Sequence, residues 1–392
     1  MSLPLPLRIA VAAAFDPRDM QADSGAAASV LEAMAEVVAD AVPLSGELPP
    51  RARRVAHVGS LAPRMRLREV RDPRAAATRL YRAAQLGRPT IAARNRLMRA
   101  QLAALGPLDG IVQRGCEMVL PTGQRFVTYE DSTVLQAVGY PWPHLEALSE
   151  ADIARYVARQ REVYALATAC CACTHWAADS ITHSYAVPAD RVFVVGLGQN
   201  HPAAALAPRD WSTPRYLFVG VDWQRKNGPT VLEAFTRVLE RHPEARLDLV
   251  GGHPRVDIPG VVGHGPLSRT DPADRERVAA LYASATAFVM PSLHEPAGIV
   301  FVEAGAAGVA SIGGSDGGAA TMIGPGGLIV DPLDPERIYT AMLELADGET
   351  AQRLGALAER HASLFTWRKV AERLVRALAI PGVAPDSLAE FL

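Results

Sequence analysis

Short apolar runs alternate with longer stretches of helical period along the chain. Leu7–Ala14 predicts a strand and Glu32–Ala41 lies in a helical pattern. Val55–Val58 reads as a second strand. Leu80–Leu105 reads as a helix interrupted near Gly87-Arg88-Pro89, and Phe126–Tyr129 and Arg191–Val195 as further strands. The pattern breaks at Gly196–Arg215, a stretch rich in Pro, Ala and Gly without a period, which predicts a linker. A second series follows. Strands are predicted at Tyr216–Val221, Arg246–Val250, Thr286–Pro291, Val309–Ile312 and Leu328–Val330. Helices are predicted at Thr230–Glu240, Asp274–Ala283, from near Gly298, at Pro335–Leu345 and over Gln352–Leu378. Strands that alternate with helices form parallel sheets covered by those helices, so the expected class is α/β with two Rossmann-like domains.

The composition agrees with this class. The chain has 392 residues, 49% hydrophobic and 21% charged, the proportions of a protein that buries a large core. At about 150 residues per domain the length predicts two to three domains. No apolar run approaches the ~18 residues that span a bilayer. Residues 1–15 carry Arg8 in their middle and lack a basic start, which predicts a lead-in and first strand rather than a signal peptide, hence a cytoplasmic protein. Three of the four cysteines sit in Cys170-Cys171-Ala172-Cys173. No second pair exists to close a metal site, so these read as a buried strand of small residues.

The formal net charge is −2, but residues 51–99 hold fourteen Arg against Glu69 and Asp72, so that segment is +12 and the remainder −14. Only two of the 40 basic residues are lysines, Lys226 and Lys369.

Two strand-to-helix loops of the second half carry the candidate chemistry. Open parallel sheets bind ligands beyond the carboxyl ends of their strands. The first loop runs from Gly220 to Gly228 and holds Arg225 and Lys226 between glycines. Two cations at a sheet edge suit a phosphate-bearing ligand, and solvated charges on an exposed turn are the alternative. The second loop runs from Pro291 to Ala304. Pro296 disfavours helix at Glu295 and so leaves that residue in the loop, at the lip of a crevice. Gly298, Ile299 and Val300 open the next helix, whose unpaired N–H groups can hold a phosphate. Glu303, about one turn in, can accept two hydrogen bonds from a sugar diol. A carboxylate favoured by the helix dipole is the plain alternative for either Glu alone.

This glutamate pair, the Gly-to-Lys spacing, and the Gly313–Gly318 turn followed by Gly324-Pro325-Gly326-Gly327 resemble the retaining glycosyltransferases of family 4. The resemblance is strongest over residues 212–345, moderate over His175–Asn200 and weak over 1–110. It implies a B-type glycosyltransferase fold, with an acceptor domain at 1–205, a donor domain at 206–365, and a closing helix within 366–392 that returns to the first domain. It implies a hexosyltransferase that moves a sugar from a UDP- or GDP-linked donor to a hydroxyl acceptor, whether glycan, lipid-linked or small molecule, without a metal. Lys226 and Arg225 would bind the diphosphate, Glu303 the ribose and Glu295 the donor sugar. Gly298, Ile299 and Val300 would lend backbone, and Gly25, after the first strand, would lie near the diphosphate.

Two departures from the family stand out. Val221 replaces an Arg that usually follows the strand glycine, a role that Arg225 could fill. The stretch Val127–Thr133 lacks a His that many members place near the sugar, and Glu130 or Asp131 would stand there instead. Either would serve as a proton or hydroxyl acceptor, or Asp131 or Ser132 would simply cap the next helix. The change leaves open a protein that binds a nucleotide sugar without transfer, and a nucleotide-sugar 2-epimerase on the same fold. The Arg-rich segment suits an anionic membrane surface or a phosphate-bearing acceptor. Helical faces paired to acids elsewhere account for it equally. Nucleic acid fits poorly, because no reading motif or interleaved aromatics accompany it.

Overall fold

A computed structural model describes residues 4–61, 81, 84–121, 123–140, 145, 148–200, 209–384 and 388–392. The chain divides into two compact units: Met1–Cys173 with Ala177–Val195 and Val370–Leu392, and Thr174–Trp176 with Gly196–Lys369.

The first unit holds a parallel six-stranded sheet in the order β2-β1-β3-β4-β5-β6. Its strands are β1 (Leu5–Ala13), β2 (Val38–Ser45), β3 (Gly110–Arg114), β4 (Phe126–Glu130), β5 (Ala169–Ala172) and β6 (Val192–Val194). Strands β3, β4 and β5 are buried along their whole length, including the polar Gln113, Arg114, Thr128 and Glu130. The helices are α1 (Ala26–Val37), α2 (Pro50–Leu61), α3 (Arg88–Leu105), α4 (Val134–Val138), α5 (Glu150–Leu166) and α6 (His175–His183). Capping is explicit in the sequence. Thr133 with Gln136 and Ser149 with Asp152 form reciprocal boxes that satisfy the first amides of α4 and α5. Thr133, not Asp131 or Ser132, is therefore the cap after β4.

The second unit holds a parallel sheet in the order β12-β11-β10-β7-β8-β9. The strands are β7 (Arg215–Gly220), β8 (Arg246–Gly251), β9 (Val261–Gly265), β10 (Ala287–Met290), β11 (Ala310–Gly314) and β12 (Gly327–Val330). The helices are α7 (Gly228–Val238), α8 (Pro272–Ser284), α9 (Ile299–Ala306), α10 (Ala319–Ile323), α11 (Pro335–Glu344), α12 (Gly348–Ala362) and α13 (Trp367–Ala377). Asp271, Asp334 and Asp347 cap α8, α11 and α12 with side-chain oxygens. The end of α13 belongs to the first unit, where Arg373 Nη1 donates to the Val195 carbonyl at 3.0 Å and Arg125 Nη1 donates to that of Leu378 at 2.9 Å.

The structure corrects several expectations. Val55–Val58 is helix, not strand. Ala56, His57 and Ser60 form the buried face of α2, while Val55 and Val58 face solvent at 76% and 67% exposure. The helix proposed over Glu32–Ala41 ends at Val37, where Val38 turns extended and starts β2. Gln352–Leu378 is two helices, with a turn at Ser363–Thr366. Strands β3 and β9 escaped the pattern. The four cysteines are free and buried; Cys170 and Cys171 lie in β5, as a small-residue strand requires, and Cys173 directly follows it. Of the Arg-rich segment, Arg64, Arg66 and Arg68 lie outside the described residues. Among the described residues no helix is long and apolar enough to cross a membrane.

Candidate active site at the carboxyl edge of the second sheet

Strand order decides where a ligand can sit. From β7 the chain builds β8 and β9 on one side, then returns to build β10, β11 and β12 on the other. The loops after β7 and β10 therefore diverge, and a crevice opens between them.

The β7 loop is held by its own residues. Asn227 takes the left-handed conformation, φ +61°. Its amide donates to the Pro332 carbonyl at 2.8 Å and its Oδ1 accepts from the Thr230 hydroxyl at 2.7 Å. Asp222 receives the amide of Arg225 at 3.1 Å. The two cations consequently face the β10 loop. Arg225 Nη1 donates to the His294 carbonyl at 2.8 Å, and the Leu293 amide donates to the Arg225 carbonyl at 2.9 Å.

The β10 loop brings Glu295 to meet them. Its backbone pairs with the Gly313–Gly318 turn: the Glu295 amide donates to Asp316 O at 3.1 Å and the Gly318 amide to Glu295 O at 2.8 Å. Only glycine fits at 317, where φ is +115° and a Cβ would lie 2.0 Å from the Glu295 carbonyl oxygen. Glu295 is non-helical, as Pro296 requires, but its side chain is buried rather than set at an open lip. Its Oε2 bonds to Lys226 Nζ, lies 3.7 Å from Arg225 Nη1, and accepts from the Ser292 hydroxyl at 3.4 Å. Burial pushes the Lys226 ammonium below its ordinary range, and the Glu295 carboxylate opposes that shift. Burial also drives His294 down to about 4, against the pull of Asp316, so the imidazole stays neutral. The Trp176 ring lies 5.4 Å from it.

Gly298, at φ +85°, caps α9. It brings the first turn, Ile299 and Val300, to the same edge with its amides unmatched inside the helix. Glu303 is buried on that helix, and its Oε2 accepts from the Tyr282 hydroxyl at 3.2 Å. Lys226, Arg225, Glu295, Gly298, Ile299, Val300 and Glu303 thus all stand on the two loops beside the switch point or on the helix that follows.

The remaining candidates stand at the carboxyl edge of the first sheet. Gly25 caps α1 in the left-handed region, following Asp23 and Ser24 with positive φ of their own. Glu130 ends β4 and turns into the interior, where its Oε2 accepts from Gln160 Nε2 at 2.6 Å and from the Tyr164 hydroxyl at 2.7 Å. Burial pushes its carboxyl up to about 7. Asp131 accepts from Arg114 Nη2 at 3.2 Å. The same guanidinium grips Asp23 at 2.5 and 3.0 Å.

Sequence reasoning missed Arg114, Tyr282 and Ser292. Arg114 ends an unrecognised strand. Tyr282 lies on a neighbouring helix, 21 residues from Glu303, and no spacing rule links them. Among the described residues no three His, Cys, Asp or Glu side chains gather as a metal site.

Comparison with known proteins places this geometry. Two parallel six-stranded sheets with interleaved helices form the architecture of B-type glycosyltransferases. The chain superposes on a glycosyltransferase from Rickettsia africae with a TM-score of 0.61 over 96% of this chain and 100% of that one, at 12% identity. It superposes on sucrose-phosphate synthase from Thermosynechococcus elongatus with a TM-score of 0.57 at 20% identity, over 73% and 77%. Residues 213–348, within the second unit, match the family described as glycosyl transferases group 1. Among curated relatives, D-inositol 3-phosphate glycosyltransferase of Nocardioides sp. is 30% identical over 58% of this chain and 57% of its own length. The GDP-mannose-dependent alpha-(1-6)-phosphatidylinositol monomannoside mannosyltransferase of Mycolicibacterium smegmatis is 33% identical over 40% and 45%. The chain spans about half the length of these curated relatives.

Proposed function

We propose that this protein is a retaining glycosyltransferase that moves a sugar from a UDP- or GDP-linked donor to a hydroxyl acceptor. One observation carries the reading: two cations, Lys226 and Arg225, stand with Glu295 and the amino end of α9 at the switch point of the second sheet. In this reading Lys226 and Arg225 neutralise the diphosphate as it leaves, a task that protein cations rather than a metal perform. The amides of Gly298, Ile299 and Val300 receive phosphate oxygens, Glu303 holds the ribose and Glu295 meets the donor sugar. A preorganised donor of this kind lowers the barrier by about 3 kcal/mol, or ~100-fold in rate. The curated relatives, whose names refer to inositol phosphate and to a phosphatidylinositol mannoside, support a polyol or lipid-linked acceptor, which the first unit supplies with its binding face. Domain limits of 1–205 and 206–365, with a closing segment at 366–392, accompany this division of labour.

The exposed face of α2, with Arg51 and Arg54 beside Val55 and Val58, supports peripheral contact of a cytoplasmic enzyme with an anionic membrane. Flotation with anionic vesicles checks it, and failure of the unmodified protein to float removes the membrane from the proposal.

Thermal unfolding with UDP, GDP, ADP and their sugars tests the whole reading. A ligand at 100 times its dissociation constant adds about 2.7 kcal/mol to the folded state. One nucleoside diphosphate is expected to raise the midpoint by a few degrees, and Lys226→Ala to abolish the rise. No rise with any of them overturns the assignment. A second reading, binding without transfer, is favoured by the inward turn of the Glu130 carboxyl, and it prevails if donor binds and no acceptor hydroxyl is glycosylated.

A further inference from the structure

Tyr282 is 3% exposed, and its hydroxyl is buried with it. A buried hydroxyl must find a partner or lose its hydration uncompensated. Here the partner is the Glu303 carboxylate, with the phenol donating to Oε2 at 3.2 Å, while the Val300 carbonyl oxygen lies 3.5 Å away. The phenol therefore touches both the carboxylate of α9 and the first turn of that helix. Burial holds its proton well above the ordinary tyrosine range, so it remains a donor at every working pH.

A second residue locks the two helices together. Arg209 sends Nε to the Ala283 carbonyl at 3.1 Å, Nη1 to that of Gly308 at 2.9 Å, and Nη2 to those of Ala307 at 2.6 Å and Tyr282 at 3.3 Å. These carbonyls close the carboxyl ends of α8 and α9, where the helix dipoles favour a cation. One guanidinium thus fixes the distance between the backbone that carries Tyr282 and the backbone that carries Glu303.

We propose that Tyr282 is a positioning residue for nucleotide recognition: from α8, anchored by Arg209, it sets the plane of the Glu303 carboxylate so that the carboxylate can capture the 2′- and 3′-hydroxyls of a ribose together. The proposal rests on the reading of Glu303 as the ribose-binding carboxylate. Bidentate capture depends on orientation, because two hydroxyls on adjacent carbons meet both oxygens in only one plane. A carboxylate without the phenol keeps its charge and loses that plane. Tyr282 thereby acts on sugar identity, ribose against deoxyribose, without touching the nucleotide.

Calorimetric titration of the full chain with UDP and GDP, and with the 2′-deoxy form of whichever binds, tests this. A hydrogen bond to a charged group corresponds to a factor of roughly ten or more in affinity. The unmodified protein is expected to prefer the ribo form by about that factor. Tyr282→Phe is expected to bring the preference close to unity by weakening the ribo form alone. Tyr282→Met, similar in reach and without a donor, is run in parallel in case the Phe variant does not fold. A variant that melts earlier but keeps the full ribo preference overturns the proposal, because Tyr282 is then a packing residue only. If Glu303→Ala abolishes the preference and Tyr282→Phe does not, the ribose reading stands and the positioning role falls. If the unmodified protein shows no preference and Glu303→Ala binds as it does, the reading of Glu303 falls and takes the proposal with it.

Discussion

In the second unit, the crevice beside β7 holds two cations, Arg225 and Lys226, gathered on one carboxylate, Glu295. In the first unit, the crevice between β1 and β3 holds Arg114 between two carboxylates, Asp23 and Asp131. Each sheet reverses its strand order once, after β2 in the first and after β9 in the second, so topology makes a crevice in both. The loops then furnish them with opposite chemistry. Around Lys226, two cations share the buried Glu295 while the more exposed Asp222 holds Arg225 at 3.6 Å, and in the proposed function an incoming diphosphate takes the place of Glu295. Around Arg114, anions exceed cations, and the guanidinium is engaged in holding the left-handed Asp23-Ser24-Gly25 loop. The same fold offers one edge ready for an anion and another whose cation already serves the backbone, which is why activity must be argued from side chains and not from the fold.

Four experiments break or sharpen this contrast. The largest effect is expected at Arg114. Breaking a buried ion pair by removing one partner costs about 3–5 kcal/mol. Arg114→Met should therefore lower unfolding stability by that order while leaving nucleotide affinity of the second unit unchanged. A loss of nucleotide affinity without loss of stability would erase the distinction between the two edges. Next is Lys226→Ala, for which turnover of the folded variant should fall by about 100-fold, alongside a loss of stability because Arg225 alone is left to face the buried Glu295. Unchanged turnover would remove Lys226 from the leaving-group role.

The third concerns pH, where the two units should respond with opposite sign. Glu130 has a folded pKa of about 7, above its ordinary value, so the native first unit binds the extra proton and loses stability as pH rises from about 4.5 to 7. His294 has a folded pKa of about 4, below its ordinary value, so the second unit loses stability as pH falls from about 6.5 to 4. Each difference amounts to at most about 3 kcal/mol. Glu130→Gln, which keeps an oxygen for Tyr164 and Gln160, should stabilise the protein at pH 8 and be neutral at pH 4.5. Denaturant titrations at the two pH values decide it. If the same variant also abolishes transfer, Glu130 belongs to the reaction and not to the core. The smallest effect is expected from Glu295→Gln. Without the carboxylate on Lys226, a nucleoside diphosphate meets no competitor, so its affinity should rise by roughly fivefold, about 1 kcal/mol, while transfer slows. Weaker diphosphate binding in that variant would show that the Glu295–Lys226 pair does not compete with the ligand.

Much of the second unit was legible because its signals are local. Clean apolar runs ended in glycine, Asp and Pro marked helix starts, and Pro296 excluded helix at Glu295. The first unit was read less well. Val55 and Val58 are β-branched residues three apart on the exposed face of α2, and a short apolar spacing does not say whether its residues face a core or solvent. Strands β3 and β9 are bounded by Gly and Pro but carry only two aliphatic residues each, too short an apolar run to stand out, and pairing with neighbouring strands makes them.

Legible in the chain alone were the α/β alternation, the two loaded loops of the second half and the seven residues between Glu295 and Glu303, since caps, turns and hydrophobic period act over a few neighbouring residues. Tertiary structure alone decided that Lys226 meets Glu295 69 residues away, that Tyr282 backs Glu303, and that Glu130 faces inward onto Gln160 and Tyr164. Those contacts depend on which strands lie side by side and how far their loops splay. Sheet order sets both, and no short stretch of chain encodes it.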